Sequence, residues 1–168
     1  MANEPNTTPA TSSPASPPAA PPTPAVPQEP HTLSHLSVPF QAVDYTQRGY
    51  HFDASIAPGE VVSAAEEMDQ IGFALDTITG VDWLAANEME IVYDFFHPVR
   101  NFRAVIRTRV PRENPTLPTI SSVFPGANWH ERETHDFFGI QFQGHPDLSP
   151  FLLPEDATYH PLKKDFVS

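Results

Sequence analysis

The placement of proline constrains this chain more than any other feature. Ten of its 21 prolines fall within the first 30 residues, and Pro146, Pro150, Pro154 and Pro161 interrupt the end of the 168-residue sequence. Proline fixes its own φ, lacks the N–H that helices and sheet ladders use, and pushes the preceding residue out of the helical region. Regular structure is therefore confined to the middle, and the sequence divides into residues 1–32, 33–143 and 144–168. The first stretch is rich in Pro, Ala, Ser and Thr and has no Lys or Arg. It lacks the apolar surface to offset its conformational entropy and is expected to be a disordered tail. It reads as a solvated spacer, with a Pro-rich ligand for a partner as the sharper alternative. The last stretch is expected to be an extended arm.

Charge and composition then remove whole classes of function. With 21 Asp and Glu against 9 Lys and Arg, the formal net charge is -12. Such a chain repels phosphate backbones, so no nucleic-acid partner is expected. The sequence contains no cysteine. Disulfides and cysteine-ligated iron–sulfur clusters are therefore excluded from it. Its start lacks the basic residues and apolar run of a signal peptide, and nowhere does it offer the ~20 apolar residues of a membrane span. Membrane contact is expected only through partners.

Between the proline-rich ends, the periodicities predict an α+β domain. Leu33, Leu36, Val38, Phe40, Val43 and Tyr45 form an apolar seed of mixed spacing. Residues 58–72 read as a helix: Val61, Ala64, Met68 and Ile71 recur at helical spacing, Pro58 suits the first turn and Gly72 the stop. Three strands follow. The first spans 73–79 and is closed by Gly80. The second alternates through Met89, Ile91, Tyr93 and Phe95. The third alternates through Phe102, Ala104, Ile106, Thr108 and Val110. The short link 98–101 predicts an antiparallel hairpin. Arg103, Arg107 and Arg109 lie on the opposite face of the third strand, which is expected to be solvated or charge-paired, or else to meet an acidic partner. A second helix is expected over 126–138, stopped by Gly139. The resulting domain has a mostly antiparallel sheet packed by helices.

The chemically richest stretch opens with Asn128-Trp129-His130-Glu131-Arg132-Glu133-Thr134-His135-Asp136-Phe137-Phe138-Gly139-Ile140. His130-Glu131 begins like a zinc-protease helix, but position 134 is Thr rather than the second His one turn on. Glu131 and His135 share a face and read as an ordinary surface pair. A metal-dependent hydrolase would have to gather Glu131, His135, His145 and His160, whose spacing is irregular. Glu131 and Glu133 project to nearly opposite sides of a helix, so they are not an acid–base pair. Glu133 and Arg132 each share a face with Asp136, which suits charge pairing that fixes the helix against a neighbour. No nucleophile elbow, phosphate loop or dinucleotide fingerprint is present. No catalytic, cofactor-binding or metal-ligating residue is therefore assigned.

Taken together, Glu131-Arg132-Glu133, Asp136 with Phe137 and Phe138, Gly139-Ile140, Phe142 and Gly144-His145-Pro146-Asp147-Leu148 resemble the C-subunit family of respiratory complex I, the NADH–quinone oxidoreductases. The resemblance continues through Pro154-Glu155-Asp156, His160-Pro161-Leu162 and Lys164-Asp165-Phe166. Upstream it takes in Asn128-Trp129, the Tyr93 strand and Gly80-Val81-Asp82, so it covers residues 70–166. The chain departs from the family's usual pattern at His135, Pro150, Phe151, Ala157, Tyr159, Lys163 and Val167. The family is shared with energy-converting hydrogenases and formate hydrogenlyases, and the equivalent subunit of such a complex is the alternative reading.

The resemblance implies a subunit of a proton-translocating NADH–quinone oxidoreductase that carries no redox centre. Iron–sulfur clusters, flavin and quinone would belong to partner subunits. It implies docking on the large quinone-site subunit and neighbouring iron–sulfur subunits, peripheral to the cytoplasmic face of a bacterial inner membrane. The docking residues it implies are Trp129, Glu131, Arg132, Glu133, Asp136, Phe137, Phe138 and Gly139 on the helix. In the arm they are Gly144, His145, Pro146, Asp147, Leu148, His160, Pro161, Leu162, Lys164 and Asp165. The arm has too few large apolar side chains to repay its own ordering, so it is expected to wrap a neighbour, pairing Lys163 and Lys164 with acids and Asp147, Asp156 and Asp165 with bases.

Overall fold

A computed structural model describes Leu33 and residues 36–167. The expected disordered tail over 1–32 lies outside the described residues.

The long hairpin forms where the alternation is cleanest. β4 (Glu88–His97) and β5 (Phe102–Pro111) pair antiparallel along their whole length, from Glu88↔Pro111 to His97↔Phe102. The turn closes on Asn101 at φ 55, a left-handed conformation that Asn tolerates because its short side chain bonds locally. β3 (Ala74–Trp83) adds antiparallel to β4, so its far side is the edge of the sheet. β2 (Phe52–Ser55) adds parallel to β5 on the other side, and β1 (Gln41–Ala42) completes the order β1-β2-β5-β4-β3. A separate small sheet pairs β6 (Thr116–Pro118) with β7 (Gln141–Gln143) in parallel. The helices are α1 (Tyr45–Arg48), α2 (Val61–Gln70) and α3 (Ala127–Phe138). This is the expected α+β fold with a mostly antiparallel sheet.

Register decides which side chains meet. Met89↔Val110, Tyr93↔Ile106 and Phe95↔Ala104 share one face and are buried. Met68 of α2 and Ala127 of α3 belong to the same buried cluster, so both helices cover that face. The opposite face carries the arginines, and they are paired within the chain. Arg103 reaches Asp76 and Asp94, Arg107 sits 3.1 Å from Asp53, and Arg109 lies 3.0 Å from Glu88 and 3.3 Å from Glu90. The face is therefore charge-paired, as the first of its two readings had it. Partly exposed pairs of this kind contribute less than about 1 kcal/mol each.

Three expectations need correction. β3 does not stop at Gly80 but runs on to Trp83, with Gly80 paired to Ile91. A Cβ on Gly80 would stand 2.6 Å from the ring of Phe138, so this glycine marks the close approach of α3 to the sheet rather than a strand end. The stretch read as an apolar seed is followed by a true strand, β2, whose four residues are too few to show a period. The helix expected from Pro58 begins as a 3-10 turn over Pro58–Glu60 and becomes α-helical at Val61.

Candidate functional site

α3 buries Ala127, Glu131 and Thr134 at helical spacing and leaves Trp129 and Glu133 outside. Glu131 is the unexpected member. Its side chain is fully buried, with Oε1 accepting the Ile120 N–H at 2.8 Å and Oε2 accepting from the Thr119 hydroxyl. Burial pushes its carboxyl up to about 7, against the pull of those two hydrogen bonds. His145, whose side chain is also fully buried, lies 3.8 Å away. Its Nδ1 accepts the Asp147 N–H at 3.1 Å, which assigns the ring proton to Nε2, facing the Asn128 carbonyl at 3.3 Å and Glu131. Glu131 is therefore neither a surface partner of His135 nor available for docking, and His145 is equally internal. Both fix the root of the arm to the helix.

Asp136 is likewise turned to an internal task. Its Oδ2 accepts the N–H groups of Phe151, Leu152 and Leu153 at 2.9, 2.6 and 3.1 Å. Burial acts to raise this carboxyl, but the three donors outweigh it and hold it below the usual carboxylate range. Arg132 grips the same segment from the side, donating to the carbonyls of Ser149 and Pro150 at 3.0 Å each. Its guanidinium lies 5.3 Å from the Trp129 ring and 5.2 Å from the Phe151 ring, and the two rings are 5.0 Å apart. Glu133 and Arg132 do not pair with Asp136 as the sequence suggested, because Asp136 faces the arm.

Further along, the arm caps the helix. The last carbonyls of a helix lack intrahelical partners. Here His160 Nδ1 donates to Asp136 O at 2.8 Å and the Leu162 N–H to Phe137 O at 3.1 Å. Gly139, at φ 75, turns the chain, and a Cβ there would stand 2.7 Å from His160 Nε2. The end of the arm returns to the sheet. Asp82, the second-last residue of β3, takes a two-pronged bond from Arg112 at 2.8 and 3.0 Å and accepts the Lys164 N–H at 2.8 Å. Arg112 also binds Asp165. The Arg112 hydrogen bonds, working against burial, hold Asp82 below its ordinary value. Asp165 thus finds its base within the chain rather than on a neighbour. The Asp82–Arg112 pair has no signal in the sequence: Asp82 enters there only within the Gly80-Val81-Asp82 stretch, and 30 residues separate the two.

The remaining assigned residues divide by exposure. Gly144 turns at φ 81, Pro146 and Asp147 are exposed, Leu148 packs on the core, and Phe137, Phe138 and Pro161 are half-buried. Large apolar groups nonetheless face outward: Trp129 at 54%, Phe151 at 40%, Leu152 at 52% and Leu162 at 53% exposure, with the exposed Tyr159 and Phe166 stacked on each other. The four groups of a metal-hydrolase reading do not converge. Glu131 and His145 point inward, His135 Nδ1 bonds the Ile140 carbonyl at 2.9 Å, and His160 is engaged with Asp136 O. Among the described residues no cluster of three His, Asp or Glu could hold a metal ion. None of the described helices is long and apolar enough to cross a membrane.

The chain has relatives among known proteins. The C subunit of NADH-quinone oxidoreductase from Roseiflexus castenholzii is 44% identical over 92 residues, which are 54% of this chain and 53% of that one. This chain thus spans about half the length of the curated relatives it matches. A solved structure of the trypsin-resistant fragment 1–134 of Nqo5 superposes with a TM-score of 0.53 at 30% identity, over 61% of this chain and 92% of the fragment. The membrane-bound sulfane sulfur reductase, an archaeal respiratory membrane complex, contains a chain that matches with a TM-score of 0.67 at 26% identity, over 76% of this chain and 77% of that one. The family profile described as respiratory-chain NADH dehydrogenase, 30 Kd subunit, matches residues 54–168. Spanning more than half of the sequence, that match shows that the chain belongs to this family.

Proposed function

We propose that the chain is a peripheral subunit of a membrane-bound, quinone-reducing NADH dehydrogenase complex, where it serves as a docking scaffold and holds no redox centre. One observation carries this reading. The arm's backbone is tied down by Asp136, Arg132 and Asp82, yet its large apolar side chains face outward, as a surface prepared for a second protein does. The lack of cysteine supports the absence of an iron–sulfur cluster, and the name of the Roseiflexus relative supports the reaction. On this reading the partners are the large quinone-site subunit and the adjoining iron–sulfur subunits, and attachment to the cytoplasmic face of the membrane runs through them.

The test is purification of the tagged full chain from its native membranes. The expected result is co-purification with a quinone-site large subunit and NADH-dependent quinone reduction by the assembly. Recovery of the chain alone, or with tightly bound metal or flavin of its own, overturns the proposal. The alternative, the same scaffold in a complex with a different electron donor or acceptor such as an energy-converting hydrogenase, ranks behind this reading: the sulfane sulfur reductase complex is a related respiratory assembly but not a hydrogenase. Nickel and iron in the co-purified large subunit would decide for it.

A further inference from the structure

Trp129, Arg132, Phe151 and Leu152 form one ledge on the outside of α3. Its centre is a pair of aromatic rings with the Arg132 guanidinium against them, and it is held still. The N–H groups of Phe151 and Leu152 are bound by Asp136, and the Arg132 guanidinium lies against both rings while donating to Ser149 and Pro150. A ledge presented this way loses little conformational entropy when covered. Beyond Arg132, the chain that flanks it as a rim carries charge of one sign. Between Arg132 and Lys163 the sequence contains five carboxylates and no Lys or Arg. Asp136 lies buried beneath the arm, which leaves Glu133, Asp147, Glu155 and Asp156, all exposed. Glu133 stands one turn from Trp129 on α3, Asp147 bonds the Ser149 N–H at 3.2 Å, and Glu155 and Asp156 follow within four residues of Leu152.

We infer that this ledge is a docking site for a protein surface with an apolar centre and a basic rim. The inference rests on the scaffold reading above and specifies the chemistry of the partner face. The rim decides among occupants. Anionic lipid headgroups and nucleic acid are repelled by it, and a second copy of this chain would set one acidic rim against another. A partner ringed by Lys or Arg gains attraction at the edge and buries two aromatic anchors at the centre, the arrangement in which interface energy concentrates.

The experiment compares retention of the full chain in the complex, purified from native membranes and washed with NaCl from about 0.05 to 1 M. Trp129→Ala is expected to lower retention roughly 30-fold at every salt concentration, with Trp129→Phe recovering most of it. The Glu155→Lys/Asp156→Lys double variant is expected to lose about ten-fold at low salt, a deficit that closes toward wild type at 1 M as the charges are screened. Val99→Ala, on the distant hairpin turn, is expected to behave as wild type. Near-ultraviolet circular dichroism of each purified chain confirms the fold. Wild-type retention with equal retention of the Trp129 and charge-reversed variants overturns this inference and leaves the scaffold reading standing. A deficit of the double variant that persists at 1 M overturns the basic rim. Failure of the wild-type chain to be retained in any complex overturns both.

Discussion

Glu131 shows how far a residue's setting departs from its type. Its buried carboxyl holds a proton near neutrality because the charged form would lose hydration that two hydrogen bonds only partly replace. In the unfolded chain it titrates near the ordinary 4.5, and in the fold near 7. Between those values the native state keeps a proton that the unfolded state has released. The stabilisation is therefore complete below 4.5, declines as pH rises through the window, and is gone above 7. The total is about 3 kcal/mol. Glu131→Gln removes the titrating group, so its stability relative to wild type should rise by about that amount from pH 4.5 to pH 8. Urea denaturation at several pH values measures this, and a constant difference would refute it. Gly80 makes a simpler case. Its absent side chain is what lets Phe138 lie against the sheet, so Gly80→Ala should cost about 2 kcal/mol and lower the Tm by several degrees. A scanning-calorimetry midpoint equal to wild type would contradict that packing.

Among the elements, the arm departs most from what its composition suggests. With four prolines and few apolar anchors it reads as a segment that waits for a partner. The structure instead lends it acceptors from its own domain: Asp136 for three N–H groups, two orphan carbonyls at the end of α3 for the His160 ring and the Leu162 N–H, and Asp82 for the Lys164 N–H. Asp136→Ala should release the segment around residues 149–153 while leaving the sheet intact. Trypsin is blind to this change, because no Lys or Arg lies between Arg132 and Lys163. Thermolysin, which cuts before large apolar residues, should cleave beside Leu152 and Leu153 at least roughly ten-fold faster in the variant, because the charged acceptor of all three N–H groups is lost. Equal cleavage rates would show that the clasp does not hold the arm.

For the whole molecule, the division of labour is between a sheet-and-helix body and a surface laid over it. Removing residues 150–168 takes away all of the arm but its root, sparing His145 and Leu148, which are packed into the body. The shortened chain should remain folded by far-ultraviolet circular dichroism and fail to assemble into its complex. Assembly at the wild-type level would place the docking surface elsewhere. The arginine-lined face of the sheet makes a contrasting case. Its charges are matched within the chain, so it offers little to a charged partner.

The alternation of β4 and β5, the helical spacing of α2 and α3 and the proline-rich ends were all legible from residue order, because each is a local pattern with its own period or composition. So was the importance of the stretch from Trp129 to Phe166, through the density of aromatic and charged groups and its likeness to a known family. The direction each group faces was not legible. Glu131, His145 and Asp136 look like surface charges in a linear reading, and only the approach of the loop at Thr119 and of the arm makes them internal. Likewise Asp82 and Arg112, 30 residues apart, become one clasp only when β3 and β5 end on the same side of the sheet. Periodicity places a residue on a face of its own element. What then covers that face depends on contacts between segments distant in sequence, and those are settled when the chain packs.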